Sequence, residues 1–180
     1  MTDMICDVPQ HGVVAVGNGR DFAAHTVSTW TRTSIAAGAL ATGSVRAHVE
    51  VLRRISGNPG RAFLGGRLTA GDGARTRIEV GVSAFDAGGC GDAPTFPGAL
   101  WSSPLIVGLP TEFAAAVVAG LTAGSPLPPG SLTADQAAFD FMCSSEPMFE
   151  RAAAVLRAAL GAKIAGFEPE KAVRAVVSGW

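Results

Sequence analysis

A chain of 180 residues is long enough to bury one sizeable core and too short for several domains. Apolar residues make up 48% and charged residues only 16%, well below the usual share of about 25%, so some apolar surface is expected to line a pocket or be covered by another subunit. A net charge of −1 excludes a global field that would draw nucleic acid or an anionic membrane.

Residues 1–25 read as an N-terminal extension holding at most a short strand at 13–16, ended by Gly17-Asn18-Gly19, a strong turn signal. No basic n-region or long apolar core begins the chain, so no signal peptide is expected. Threonines and β-branched residues alternate over 25–35, with Trp30 on one face. Val45, Ala47, Val49 and Val51 alternate with Arg46, His48, Glu50 and Leu52, which predicts a half-buried strand with a mixed outer face. Ser56-Gly57-Asn58-Pro59-Gly60 is a turn by composition. Strands follow at 62–69 and 77–84, joined by Ala70-Gly71-Asp72-Gly73, whose Asp-Gly pair predicts a hairpin. In the second of these, Ile78, Val80 and Val82 share one face. Residues 86–104 are Gly/Pro-rich and aperiodic, a length that calls for either a lid or a surface excursion.

Pro110 opens a helix with Glu112 in its first turn, an apolar stripe of Phe113, Val117 and Leu121, and Gly124 just past its end. One or two strands are expected in 132–142. Ser144 or Ser145 then caps a helix to about residue 162, and 168–177 forms a last short helix in a C-terminal extension over 163–180. Strands, hairpin, helix, strand, helix in that order imply an α+β domain, with helices on one face of a mostly antiparallel sheet of four to five strands. Cys6, Cys90 and Cys143 are widely spaced with no C-x-x-C pair, which suggests reduced thiols in a cytoplasm. His11, His25 and His48 show no ligand spacing, so neither a metal nor any other cofactor is expected.

Pro110 to Gly120, the Ala123-Gly124-Ser125-Pro126 turn, and Ser144-Ser145-Glu146 with Phe149 and Ala152 fall in order and without a gap along one known pattern. The pattern is domain IV of elongation factor G, which the chain resembles over 26–162. Arg54 to Phe63 is similar to the glycine-rich loop at that domain's tip, with one residue inserted, and Trp30 to Ile35 to its first strand. The resemblance implies a stand-alone ribosomal protein S5 domain 2-like fold. No G-x-x-x-x-G-K-[ST] motif is present, so it implies no GTPase. Asp140 stands where the family's decoding-site loop carries a histidine, Cys143 replaces an aspartate, and Pro59 has entered the glycine-rich loop. An acid facing RNA phosphate is repulsive, which argues against ribosome docking.

On such a fold the 56–61 and 140–143 loops share one end of the sheet, and Arg54, Arg61, Asp140, Cys143 and Ser144 converge there. Asp140 beside an arginine would serve as general acid or base, Arg61 or Arg54 would hold an anionic or carbonyl oxygen, and a helix start would lower the Cys143 thiol pKa. Ser56, His48, Phe96 and Trp101 complete the expected lining. The plainer alternative makes Asp140 and Arg61 a solvated surface pair, Cys143 a packing residue and His48 a hydrogen-bonded structural residue whose partner is Glu50 or a neighbouring-strand group. The function expected is cofactor-independent isomerisation, cyclisation or dehydration of a small apolar or carbonyl-containing substrate in bacterial specialised metabolism. A cytoplasmic homo-oligomer without membrane or nucleic-acid partners fits that reading. The alternatives are a ribosome- or RNA-associated accessory protein and a non-catalytic binding module.

Overall fold

The computed structural model describes residues 3–19, 24–55 and 57–180. Its strands and helices run β1 (Met4–Val8), β2 (Gly12–Gly17), β3 (Thr29–Ala36), β4 (Ser44–Ile55), β5 (Asn58–Ala70), β6 (Arg75–Val82), β7 (Thr95–Pro97), β8 (Pro104–Val107), α1 (Ala114–Thr122), β9 (Gly130–Phe139), α2 (Glu146–Ile164) and α3 (Glu170–Val177). The strands form one sheet curled into a half-barrel, ordered β1-β2-β4-β5-β9-β6-β3, with β7 and β8 attached to the last residues of β9. An α+β fold with a mostly antiparallel sheet is therefore present. Among the described residues the sheet has nine strands rather than four to five. The excess comes from the β1–β2 hairpin, which pairs with β4, and from β7 and β8, two short strands too brief to show a period in sequence.

The Asp72-Gly73 turn does not close a hairpin. β9 lies between β5 and β6, antiparallel to the first and parallel to the second. A crossover through α1 makes the parallel pairing, as parallel strands require. The signal read at 70–73 was local, whereas the pairing is decided by a strand more than fifty residues later.

Alternation along β4, β5, β6 and β9 gives the sheet two faces. Val49, Val51, Leu64, Ile78, Val80, Leu132 and Phe139 point to the helices and are fully buried. α2 lies across β4 and β5, α1 packs on α2, and α3 on α2 and β1. Phe113, Val117 and Leu121 are buried as their stripe predicts, and Phe113 stacks on Phe149 with centroids 4.8 Å apart. Each such side chain contributes about 1.5–3 kcal/mol by leaving water. α1 ends where Gly124 takes φ 104°, and Arg157 of α2 donates from Nε to the Ala123 carbonyl at 2.7 Å and from Nη2 to that of Ser125. A cation thus satisfies the carbonyl end of the helix, at the turn that carried the resemblance.

Candidate functional site

The second face of the sheet carries the chemistry. Asp7, Val13, Leu52 and Arg61 stand in register across β1, β2, β4 and β5, and Asp140 follows just past β9. Asp140 reaches this face through a β-bulge. Gly65 pairs with Gln136 but Gly66 with Ala134, so Asp135 is the extra residue. The bulge reverses the alternation, sending Ala137 and Phe139 to the helices and Gln136, Ala138 and Asp140 to the other side. A Cβ at Gly66 would overlap the Thr133 carbonyl, so only glycine lets the two backbones approach here.

His48, Glu50 and Arg61 on this face are each at most 2% exposed. The mixed outer face expected of β4 is thus a second interior, covered by residues 86–104. That segment is neither aperiodic coil nor a loose excursion: β7 and β8 pair, and Phe96 packs edge-on against Phe63 at 5.3 Å. Arg61 and Glu50 hold the segment by its main chain. Arg61 Nε donates to Glu50 Oε1 at 2.8 Å, Nη1 to the Ser103 carbonyl at 2.7 Å and Nη2 to the Trp101 carbonyl at 3.2 Å. Glu50 accepts from the Ala99 and Leu100 amides. A Cβ on Gly98 would overlap both side chains of the pair. Buried charges survive only when paired and hydrogen-bonded in this way.

Asp140, 7% exposed, is no solvated surface acid. Its Oδ2 lies 3.6 Å from Arg61 Nη1, and its Oδ1 accepts from the Met142 amide at 3.0 Å. The Ser144 hydroxyl accepts from the Asp140 amide and donates to the Arg61 carbonyl, while the Arg61 amide donates to the Cys143 carbonyl. Ser144 therefore fastens the turn to β5, and Ser145 is the N-cap residue of α2, with no side-chain capping bond. The Cys143 thiol is pushed up from its usual range, not down: burial raises it most, then the charge and hydrogen bond of Asp140, against a smaller lowering by Arg61. Proximity to a helix start does not overcome burial together with a carboxylate in contact.

Arg61, Asp140, Cys143 and Ser144 are thus brought together as the sequence suggested, but Arg61 is engaged within the protein and is not open to an external oxygen. Arg54 is placed differently. Its guanidinium lies 5.6 Å from the Trp101 ring centroid and is exposed, so both residues join the rim of the cluster. Ser56 lies outside the described residues. The paired residues Ile55 and Asn58 lie at the Asp140 end of the sheet, since Arg61 of the same strand pair contacts the Asp140 turn. His48 stacks on Phe63 at 5.4 Å, its Nε2 lies 3.1 Å from Asp3 Oδ2, and its Nδ1 accepts from the Gly19 amide. It is a structural joint between the N-terminal segment and the sheet, and its carboxylate partner is Asp3 rather than Glu50.

Sequence reasoning missed Glu50 as the partner of Arg61, and Gln136 and Asp3 altogether. The available signal was alternation: Glu50, His48 and Phe63 occupy one face, and a phenylalanine among charges marks a face that something covers. Among the described residues no three His, Cys, Asp or Glu side chains are grouped to hold a metal ion, and no helix is long and apolar enough to cross a membrane. No protein-family description, no curated protein and no solved structure matches the chain.

Proposed function

We propose that the chain is a cofactor-independent acid/base enzyme acting on a small, partly apolar or carbonyl-containing molecule, built on a scaffold like domain IV of elongation factor G. The observation that carries this reading is the cluster at one end of the second sheet face, where Asp140 lies against Arg61 and the Cys143 thiol, and Arg61 in turn bonds the carbonyl of Trp101, on whose ring Arg54 stacks. Asp140 is the acid/base group. Arg61 is a positioning residue that fixes the Asp140 carboxylate and the covering segment, and Arg54 is the cation that meets an anionic or carbonyl oxygen. Isomerisation, cyclisation and dehydration all require only such proton transfer. The scaffold reading is supported by element type. A strand at Trp30 to Ile35, a hairpin end near 55–58, a helix after Pro110, a bend at 123–125 and a helix after Ser145 fall at the five matched segments. Three unpaired cysteines fit a reducing cytoplasm, and Phe141 and Met142, 59% and 82% exposed, are an apolar pair that a second copy would cover. A thermal-shift screen of small carboxylates and ketones, followed by turnover assays on the hits, tests the reading. Asp140→Asn should cut turnover by about a hundredfold or more, and unchanged turnover and affinity in that variant would remove the basis of the proposal.

One observation favours the second reading, a ribosome- or RNA-associated protein. The acid that argued against docking is buried and paired with Arg61, so phosphate approaching this end meets Phe141, Met142 and Arg54 instead. Co-sedimentation with ribosomes that weakens as salt rises would support it, and no binding at low salt would eliminate it.

A further inference from the structure

Beside the Arg61 cluster the second face opens into a groove of about 220 Å³, lined by Asp7, Gln10, His11, Val13, Leu52 and Arg54 among others. Val13 and Leu52 pair across β2 and β4 and form its apolar floor, and Asp7 pairs with Val13 on the far side. Arg54 stands two residues beyond Leu52 on the same face of β4. Its exposed guanidinium stacks on the Trp101 ring, an interaction that uses no N–H donor. His11 is oriented by a hydrogen bond between Nδ1 and the Trp180 carbonyl at 3.0 Å. That oxygen only accepts, so Nδ1 is the donor, and whenever the ring is neutral Nε2 is the nitrogen with the free lone pair. The turn holding His11 is itself fixed: its amide donates to the Val8 carbonyl at 3.0 Å, and Gly12 sits against the Trp180 ring.

One cationic fork, two acceptors and a short apolar floor in a space below the usual range of about 300–1,000 Å³ for drug-sized ligands define a small target. We infer that the groove binds a small hydroxy- or amino-carboxylate. The carboxylate lies on Arg54, a hydroxyl donates its one proton to Nε2 of His11 while an amino group can donate to Asp7 as well, and the short carbon chain covers Val13 and Leu52. The inference rests on Arg54 being the anion-holding group of the proposed site, and it adds His11, Asp7 and the substrate class to it.

The test is a ¹H–¹⁵N NMR titration of the protein with L-lactate and with propionate, which lacks the donor. Lactate should give saturable shifts confined to residues 7–13, 52–54 and the neighbourhood of Trp101, and should bind more tightly than propionate. Arg54→Gln, an exposed substitution, should weaken lactate about tenfold or more with the rest of the spectrum unchanged. His11→Asn keeps a donor for the Trp180 carbonyl but lacks Nε2, so it should erase the preference for lactate over propionate. The titration reads binding without turnover, so its failure is distinct from failure of the catalytic reading, which Asp140→Asn tests by turnover. Absence of saturable shifts, shifts that survive Arg54→Gln, or equal binding of the two acids would overturn the assignment.

Discussion

Arg61 and Glu50 are 1% and 2% exposed, and each depends on the other for its charge to be tolerated. Arg61→Met would leave a buried carboxylate without its cation, and should cost about 3–5 kcal/mol in urea unfolding. Adding Glu50→Leu should restore only the part of that loss due to the unpaired carboxylate, because the main-chain groups of Ala99, Leu100, Trp101 and Ser103 still lack their partners. Losses that simply add would mean the two are not coupled. Cys143 gives a second expectation. Burial and Asp140 raise its thiol, so alkylation by iodoacetamide at neutral pH should be slower than that of free cysteine, and faster in Asp140→Asn. The linkage sign follows from a folded value raised above the 9.0 of an unfolded thiol. The stability it contributes is complete below that pH and is lost as pH rises through the folded value. Relative to Cys143→Ala, the wild-type protein should therefore lose stability above pH 9.0, and a constant difference across that range would contradict the assignment.

Residues 86–104 and the bulge at Asp135 decide whether a second interior exists at all. The bulge sets the face of every residue from Gln136 to Asp140, so its presence matters more than the side chain it carries. Asp135→Ala removes a half-exposed ion pair with Arg46 and should cost less than about 1 kcal/mol. Deleting Asp135 should instead drive Gln136 and Asp140 toward the helices and abolish cooperative unfolding. Equal behaviour of the two variants, by circular dichroism and urea titration, would show that the bulge does not set the register. No local pattern announces a bulge of this kind: the Gly65-Gly66 pair opposite it is the trace it leaves, and it reads equally as flexible strand.

At the scale of the whole molecule, what the sequence made legible was short-range. The period-2 runs at 45–52 and 77–82 and the stripe at Phe113, Val117 and Leu121 became elements with the predicted faces buried. Long-range pairing was not legible, because β9 enters between β5 and β6 and β1–β2 extends the β4 edge through contacts distant in sequence. The convergence of Arg61, Asp140, Cys143 and Ser144 was anticipated from a resemblance, while the closure over them was not, since it depends on main-chain carbonyls and amides that composition does not reveal. That closure is the claim on which the site depends. Hydrogen exchange at the Ala99 and Leu100 amides, the two that donate to Glu50, tests it most directly. Both should be strongly protected in the wild-type protein and become labile in Glu50→Gln while amides of β4 and β5 stay protected. Exchange at unstructured rates in the wild type would contradict a covered second face.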